Sequence, residues 1–262
     1  MNILEEIAAH ARQRVARDRA FLPLEALQEQ CRALGKRGRT FEAALQGPGM
    51  SLICEVKKAS PSKGLISPDF PYLDIAGDYQ AAGADAISCL TEPKWFLGSD
   101  RIFKEIRGAV SRPMLRKDFT VDEYQIYQAR AMGADGVLLI CALLGTAAIA
   151  RYLELCETLG LSALVEAHDE TEIASALAAG ASVIGVNNRN LKNFQVDFSN
   201  AARLRNAIPP HVLYVAESGV TGPEDAAALR AIGADAALVG EALMRAEDRQ
   251  AFLTTLREGC TQ

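Results

Sequence analysis

Gly133-Ala134-Asp135-Gly136-Val137-Leu138-Leu139-Ile140 reads as the end of one helix followed by a buried strand, and the chain repeats this unit. Gly-Ala-Asp recurs at Gly83 and Gly233, and Gly-Ala-Ser stands at Gly180, giving intervals of 50, 47 and 53 residues. Glycine accepts the left-handed backbone that ends a helix. Each tripeptide leads into an apolar run: Ala86–Leu90, Gly136–Ile140, Val183–Val186 and Ala236–Val239. Four more such runs fall between them, at Leu52–Val56, Pro113–Arg116, Ala163–Glu166 and Leu213–Ala216. Nearly continuous apolar strands, each separated from the next by one helix, describe a parallel sheet. Their number and even spacing predict an α/β fold, a closed (βα)8 TIM barrel; a doubly wound sheet accounts for the spacing less well.

The helix starts agree. Thr120 with Glu123, Asp169 with Glu172 and Thr221 with Glu224 have capping-box spacing, and Pro223 falls in a first turn. Residues 1–50 lie outside the repeat. Ile3, Ile7, His10 and Arg14, then Leu22 and Leu27, predict helices, and Gly47-Pro48-Gly49 breaks the chain before the first strand. So short a segment buries too little surface to stand alone. The expected organisation is one barrel domain over 1–262, with 1–50 an N-terminal helical extension packed on it.

Composition narrows the function. The chain has 262 residues, 49% of them apolar, and 28 basic against 33 acidic residues for a net charge of −5. No basic tract stands out, which argues against nucleic acid as a partner. Glu5 and Glu6 interrupt any secretory signal, and the longest apolar stretch, Gly136–Ala150, is too short to span a bilayer. The six cysteines show no C-x-x-C spacing and several sit in apolar runs, as reduced thiols of a cytoplasmic protein do.

In a barrel the active site lies at the C-terminal ends of the strands, and there this chain carries charge. The first strand ends with Glu55 and Lys57, two apart and so on one side. Others end with Arg116-Lys117-Asp118, Glu166, Asn187-Asn188-Arg189-Asn190, Glu217-Ser218-Gly219 and Gly240-Glu241. Buried charges are costly unless paired, so charges at one end of several apolar strands point to a cluster of mutually shifted pKa values. Arg116 and Asp118 fit a structural role equally well, and His168, beyond its strand end, reads as a solvated loop residue. Barrels often hold phosphate with the loops after strands 7 and 8, here Ser218-Gly219 and Gly240. Ser60-Pro61-Ser62-Lys63-Gly64 forms a long polar loop after the first strand.

These segments carry a resemblance. Ile53-Cys54-Glu55-Val56-Lys57-Lys58-Ala59-Ser60-Pro61-Ser62 resembles the first-strand signature of indole-3-glycerol phosphate synthases. Similar matches follow at Leu90-Thr91-Glu92, Leu115-Arg116-Lys117-Asp118-Phe119, Leu164-Val165-Glu166, Gly185-Val186-Asn187-Asn188-Arg189, Ala216-Glu217-Ser218-Gly219 and Leu238-Val239-Gly240. The resemblance implies an anionic small-molecule substrate, an anthranilate ring joined through nitrogen to an opened deoxyribulose 5-phosphate. It implies ring closure with loss of carbon dioxide and water in tryptophan biosynthesis, without metal or organic cofactor, by a monomer. It implies Lys117 as general acid, Glu166 as general base, and Glu55, Lys57, Asn187 and Glu217 as their partners. It assigns Arg189 to the anthranilate carboxylate region. Ser60, Ser218, Gly219 and Gly240 go to the phosphate side, and Phe96, Phe119, Leu138 and Leu191 to the aromatic ring. Strand alternation sets Arg116 and Lys117 on opposite sides, and the resemblance selects Lys117 for the axis. It is expected between Glu55 and Glu166, with Lys57 drawing its pKa down.

Two residues depart from the pattern: Asn190 stands where an aspartate is expected, and Glu241 puts an acid beside the phosphate loop. Other readings exist. A phosphoribosylanthranilate isomerase would carry an acid–base cysteine at the end of the first strand, where Cys54 points away from Glu55 and Lys57. A Schiff-base aldolase would use Lys57 or Lys117. A metal-dependent epimerase needs ligand spacing that His10, His168 and His211 lack. A phosphate-binding barrel without turnover is the non-enzymatic reading.

Overall fold

In a computed structural model, the chain is described over residues 2–35, 38–189 and 195–261. Eight strands are β1 (Ser51–Val56), β2 (Ala86–Leu90), β3 (Met114–Lys117), β4 (Gly136–Ile140), β5 (Ser162–Ala167), β6 (Val183–Asn187), β7 (Leu213–Glu217) and β8 (Ala236–Val239). They pair in parallel in chain order, and β1 closes on β8, with Ser51 opposite Ala236 and Ile53 opposite Leu238. This is the expected TIM barrel. A short antiparallel pair, Ala59–Ser60 with Gly64–Leu65, forms the polar loop after β1. The N-terminal helices are α1 (Ile3–Phe21), α2 (Leu24–Ala33) and α3 (Thr40–Ala44). The barrel helices are α4 (Tyr72–Ala81), α5 (Asp100–Ala109), α6 (Glu123–Ala131), α7 (Thr146–Leu159), α8 (Glu170–Ala178), α9 (Ser199–Leu204), α10 (Pro223–Ala231), α11 (Glu241–Arg245) and α12 (Arg249–Thr261). Among the described residues no helix is long and apolar enough to cross a membrane.

The Gly-Ala-Asp repeat has a physical cause. Gly83, Gly133, Gly180 and Gly233 take φ values of 84, 83, 90 and 78°, which strain any side chain. The aspartate that follows accepts an N–H from the first or second residue of the preceding strand. Leu52 donates to Asp85 at 2.8 Å, Met114 to Asp135 at 2.8 Å and Tyr214 to Asp235 at 2.7 Å. These N–H groups start strands and need partners, so the motif fastens successive strands at the floor of the barrel. At the fourth site Ser182 takes the place of the aspartate and bonds Arg39 and Glu42 instead.

Alternation along each strand builds two apolar layers. Ile53, Leu115, Leu138, Leu164, Val183, Val215 and Leu238 fill the interior. Cys54, Val137, Val165, Ile184 and Ala237 face the helices. The N-terminal helices serve both ends. Phe41 and Leu45, from α3 and the residue after it, join the interior layer and are fully or nearly fully buried. A β-carbon on Gly136 would lie 3.3 Å from the Phe41 ring, so the glycine leaves room for it. At the opposite end, Arg14 of α1 donates two hydrogen bonds to Asp118, at 2.7 and 3.1 Å.

Several local expectations needed correction. The third strand runs one residue later than Pro113–Arg116, so Lys117 belongs to it. Asp122, not Thr120, caps α6. At α10, Thr221 pairs with Asp225 rather than Glu224, and Pro223 opens the helix as expected. Asp169 caps α8 as its spacing predicts.

Candidate active site

The strand ends bring five charged side chains together. Glu55 lies inside β1 and Lys57 just past its end, and the Lys57 Nζ is 2.7 Å from Glu55 Oε1. Ser88 of β2 reaches the other Glu55 oxygen at 3.4 Å. Lys117 ends β3 and points inward, with its Nζ 3.4 Å from Glu217 Oε2 and 3.6 Å from Glu166 Oε2. Arg116, its neighbour, is buried on the opposite side, where its guanidinium donates to Gln125 O and to Asp100. Asn187 Oδ1 accepts from Arg189 N at 2.9 Å and from Ser218 Oγ at 3.0 Å.

The expected neighbourhood of Lys117 is corrected here. Its nearest carboxylates are Glu217 and Glu166, not Glu55 and Glu166, and Lys57 is engaged by Glu55. Burial works to lower the Lys117 pKa, but Glu217, Glu166 and Glu55 outweigh it and hold the ammonium above its usual value. Three carboxylates against two ammonium groups leave one negative charge in excess. Glu217 absorbs that excess. Burial, with Glu166 and Glu55 as like charges, pushes its carboxyl up to about 8 against the pull of Lys117. Burial also acts on Glu55, yet Lys57 and Lys117 prevail and keep it below the usual carboxylate range.

Around this cluster the pocket divides by polarity. Phe96 and Phe119, with ring centroids 5.9 Å apart, stand with Leu138 along one wall. Ile3, Leu4 and Ile7 of α1 line the same pocket, a contribution that strand ends alone do not reveal. Ser60 and Ser218 line the pocket as well. Ser218, Gly219 and Gly240 line an adjoining recess at the start of α11. Ser218 and Gly219 form a left-handed turn, with φ of 68 and 101°. A β-carbon on Gly240 would meet Glu55 Oε1 at 2.7 Å, so that glycine lets the backbone close on the charged cluster. The side chain of Glu241 is paired with Lys63 at 3.3 Å, Arg245 at 3.2 Å and Arg189 at 3.9 Å. Asn190 and Leu191 lie outside the described residues.

One expectation falls. His168 is not a solvated loop residue: its side chain is 17% exposed, and its ring stands between Glu166 and Glu172. Asp118 is buried and structural, bound by Arg14 and Thr91, and Arg116 lies 3.6 Å away. Cys54 is fully buried in the outer layer, away from the mouth, which removes the cysteine that an isomerase reading requires.

Comparison with known proteins bears on this arrangement. The family model described as indole-3-glycerol phosphate synthase matches residues 4–256. A protein of that name from Ruminiclostridium cellulolyticum is 52% identical, covering 97% of this chain and 98% of its own length. One from Lacticaseibacillus paracasei is 46% identical over 98% of this chain and 99% of its own. Among solved structures, a 3-hexulose-6-phosphate synthase superposes with a TM-score of 0.67, at 19% identity, over 81% of this chain and 100% of its own. A thiamine phosphate pyrophosphorylase from Pyrococcus furiosus gives 0.60 at 19% identity, over 84% and 96%. At that identity the last two share the fold alone.

Proposed function

The chain belongs to the indole-3-glycerol phosphate synthase family, and on that premise we propose how its residues carry the reaction. The enzyme is a carboxy-lyase of tryptophan biosynthesis. It converts 1-(2-carboxyphenylamino)-1-deoxyribulose 5-phosphate to indole-3-glycerol phosphate with loss of carbon dioxide and water. The observation that supports the assignment of roles is the Lys117 ammonium, 3.4 and 3.6 Å from Glu217 and Glu166, beneath an aromatic wall and beside a glycine-lined recess.

Lys117 is the general acid. As the ring carbon attacks the ketone, negative charge develops on the carbonyl oxygen, and an ammonium can protonate it there. Departure of carbon dioxide restores the aromatic ring. In the dehydration that follows, Lys117 protonates the leaving hydroxyl and Glu166 takes a proton from the new five-membered ring. Glu55 and Lys57 balance the charge at the mouth. Glu217 shares Lys117 with Glu166, and Asn187 ties the loop at Arg189 to that at Ser218. Phe96, Phe119 and Leu138 receive the anthranilate ring, and Arg189 its carboxylate. Ser60, Ser218, Gly219 and Gly240 receive the phosphate, because turns of this kind turn N–H groups toward an anion. These steps are acid–base steps and call for no metal or organic cofactor. The reading includes a monomer in the cytoplasm, with the six cysteines as free thiols.

The direct test supplies the anthranilate-linked ribulose phosphate and follows indole absorbance and carbon dioxide together. Equal release of both is expected. Substrate bound without either product would leave a phosphate-binding barrel, and borohydride trapping of a covalent adduct at Lys57 or Lys117 would point to aldolase chemistry.

A further inference from the structure

The reaction consumes a proton. The substrate carboxylate leaves as neutral carbon dioxide and the hydroxyl leaves as water, so substrate anion plus one proton gives product, carbon dioxide and water. Within the roles assigned above, Lys117 delivers two protons, one to the ketone oxygen and one to the departing hydroxyl. Glu166 recovers only one. A second proton must reach Lys117 while the substrate fills the pocket that α1 helps to line.

We propose that His168 carries that proton into the closed complex and hands it to Glu166, which passes it to Lys117. The proposal rests on the preceding assignment of Lys117 and Glu166. Its geometry is independent of the family resemblance. His168 follows β5 directly and lies two residues beyond Glu166, so both side chains leave the strand on one side. Its Nε2 is 3.5 Å from Glu166 Oε1, and Glu166 Oε2 is 3.6 Å from the Lys117 Nζ. Its Nδ1 is held 3.0 Å from Glu172 Oε2, an oxygen that also accepts the His168 backbone N–H at 2.8 Å. The nitrogen aimed at Glu166 is buried and makes no hydrogen bond. Glu172 thus fixes the ring and leaves Nε2 for the catalytic carboxylate.

The surroundings favour the charged ring. Glu166 faces it from β5, Glu172 and Asp169 from the start of α8, and Glu217 from β7 at longer range. Arg203 of α9 lines the same groove but is bonded to Asn200, and α1 contributes only Asn2 and Leu4. Burial works to lower the imidazole pKa, yet Glu172, Glu166 and Glu217 prevail and raise it.

The protons balance over one turnover. Lys117 protonates the ketone oxygen. The His168 imidazolium gives its Nε2 proton to the Glu166 carboxylate, and the resulting carboxylic acid reprotonates the Lys117 amine. Lys117 then protonates the departing hydroxyl as Glu166 takes a proton from the ring. Glu166 returns that proton to Lys117, and His168 regains its own from solvent once product has left.

The test is the pH dependence of kcat in the parent, His168→Gln and Glu172→Gln proteins, with KM measured alongside. The parent should lose kcat on the alkaline side as His168 deprotonates. His168→Gln should lower kcat about ten-fold with KM within two-fold, and should remove that limb. Glu172→Gln should move the limb to lower pH, because the neighbour that keeps the ring charged is gone; Glu217, which also titrates, does not touch Glu172 and would leave the limb in place. Parental kcat in His168→Gln, or an unmoved limb in Glu172→Gln, overturns the proposal. Should His168→Gln fail to fold by circular dichroism, the Glu172→Gln profile decides alone. A parent that releases no indoleglycerol phosphate defeats the assigned function instead, so the two failures are told apart.

Discussion

A β-carbon placed on Gly185 would lie 2.1 Å from Oε1 of Glu217, closer than an unbonded carbon and oxygen can stand. Gly185 of β6 and Glu217 of β7 lie on adjacent strands, and the glycine makes the space that the carboxylate occupies. Leu164 Cδ1, 3.1 Å from the same position, closes the other side. Gly185→Ala should therefore displace Glu217 from Lys117. The expected result is a fall in kcat of at least about ten-fold, with a loss of roughly 1–3 kcal/mol of stability from overpacking. Steady-state kinetics and a denaturant titration measure both, and parental kcat would mean that the position of Glu217 is not used.

Lys117→Met removes the proton and keeps much of the stem's volume. We expect kcat to fall roughly 10²–10⁴-fold, the usual size for a lost acid–base group, while calorimetric substrate affinity changes far less. The variant leaves Glu166 and Glu217 without their cation, so some loss of stability should accompany it. A near-parental kcat would transfer the acid role to Lys57.

The barrel was legible because its signals are local and repeated. Left-handed glycines, an aspartate that fastens the preceding strand and buried apolar runs recur at one interval, and each can be read without knowing the others. The charged ends of the strands followed from the same alternation. The parts that escaped depend on distant residues. Ile3, Leu4 and Ile7 reach the pocket only because α1 crosses the mouth, held by Arg14 on Asp118 more than a hundred positions away. His168 was within reach of the rule applied to Glu55 and Lys57, since it stands two residues after Glu166. Ending that strand at Glu166 instead of Ala167 hid it. The pKa of Lys117 was misjudged because Glu217 comes from a strand a hundred residues later, and spacing along one strand cannot show which carboxylate from across the barrel lies nearest.

The recess lined by Ser218, Gly219 and Gly240 should bind inorganic phosphate. A ligand that binds the folded state raises its melting temperature, so the parent should gain stability as phosphate is added at constant ionic strength. Gly219→Asp should abolish that gain. It adds a like charge, a β-carbon 3.0 Å from the Phe198 ring and a side chain at a φ of 101°. The readout is the increment on adding phosphate, which a general loss of stability does not mimic. Equal increments in both proteins would place the anion elsewhere.

Phe41 joins the interior layer from the floor although it belongs to the segment before β1. Its burial is complete, and Phe41→Ala should cost about 3–5 kcal/mol. Because the mouth lies at the other end of the strands, kcat at a temperature where the variant is folded should stay within a few-fold of the parent. A small change in the denaturant midpoint would show that α3 does not close the barrel.

Glu217 and Glu55 should give stability opposite dependences on pH. The folded-state pKa of Glu217, about 8, exceeds its ordinary 4.5, so the folded protein holds a proton that the unfolded chain has released. Stability from this group is complete below the unfolded value and is lost as pH rises through about 8. Glutamine cannot ionise and keeps that contribution, so the melting temperature of Glu217→Gln relative to the parent should climb steadily between about pH 5 and 9. Glu55 is shifted down, which reverses the sign: its contribution is present above the unfolded value and is lost as pH falls through the folded one. Glu55→Gln should therefore melt below the parent at neutral pH, and the gap should close on acidification. Thermal melts of the three proteins from about pH 3 to about pH 9 supply the comparison. Parallel curves for Glu217→Gln and the parent would mean that Glu217 stays ionised beside Lys117, and the excess negative charge of the cluster would then be neutralised by another group.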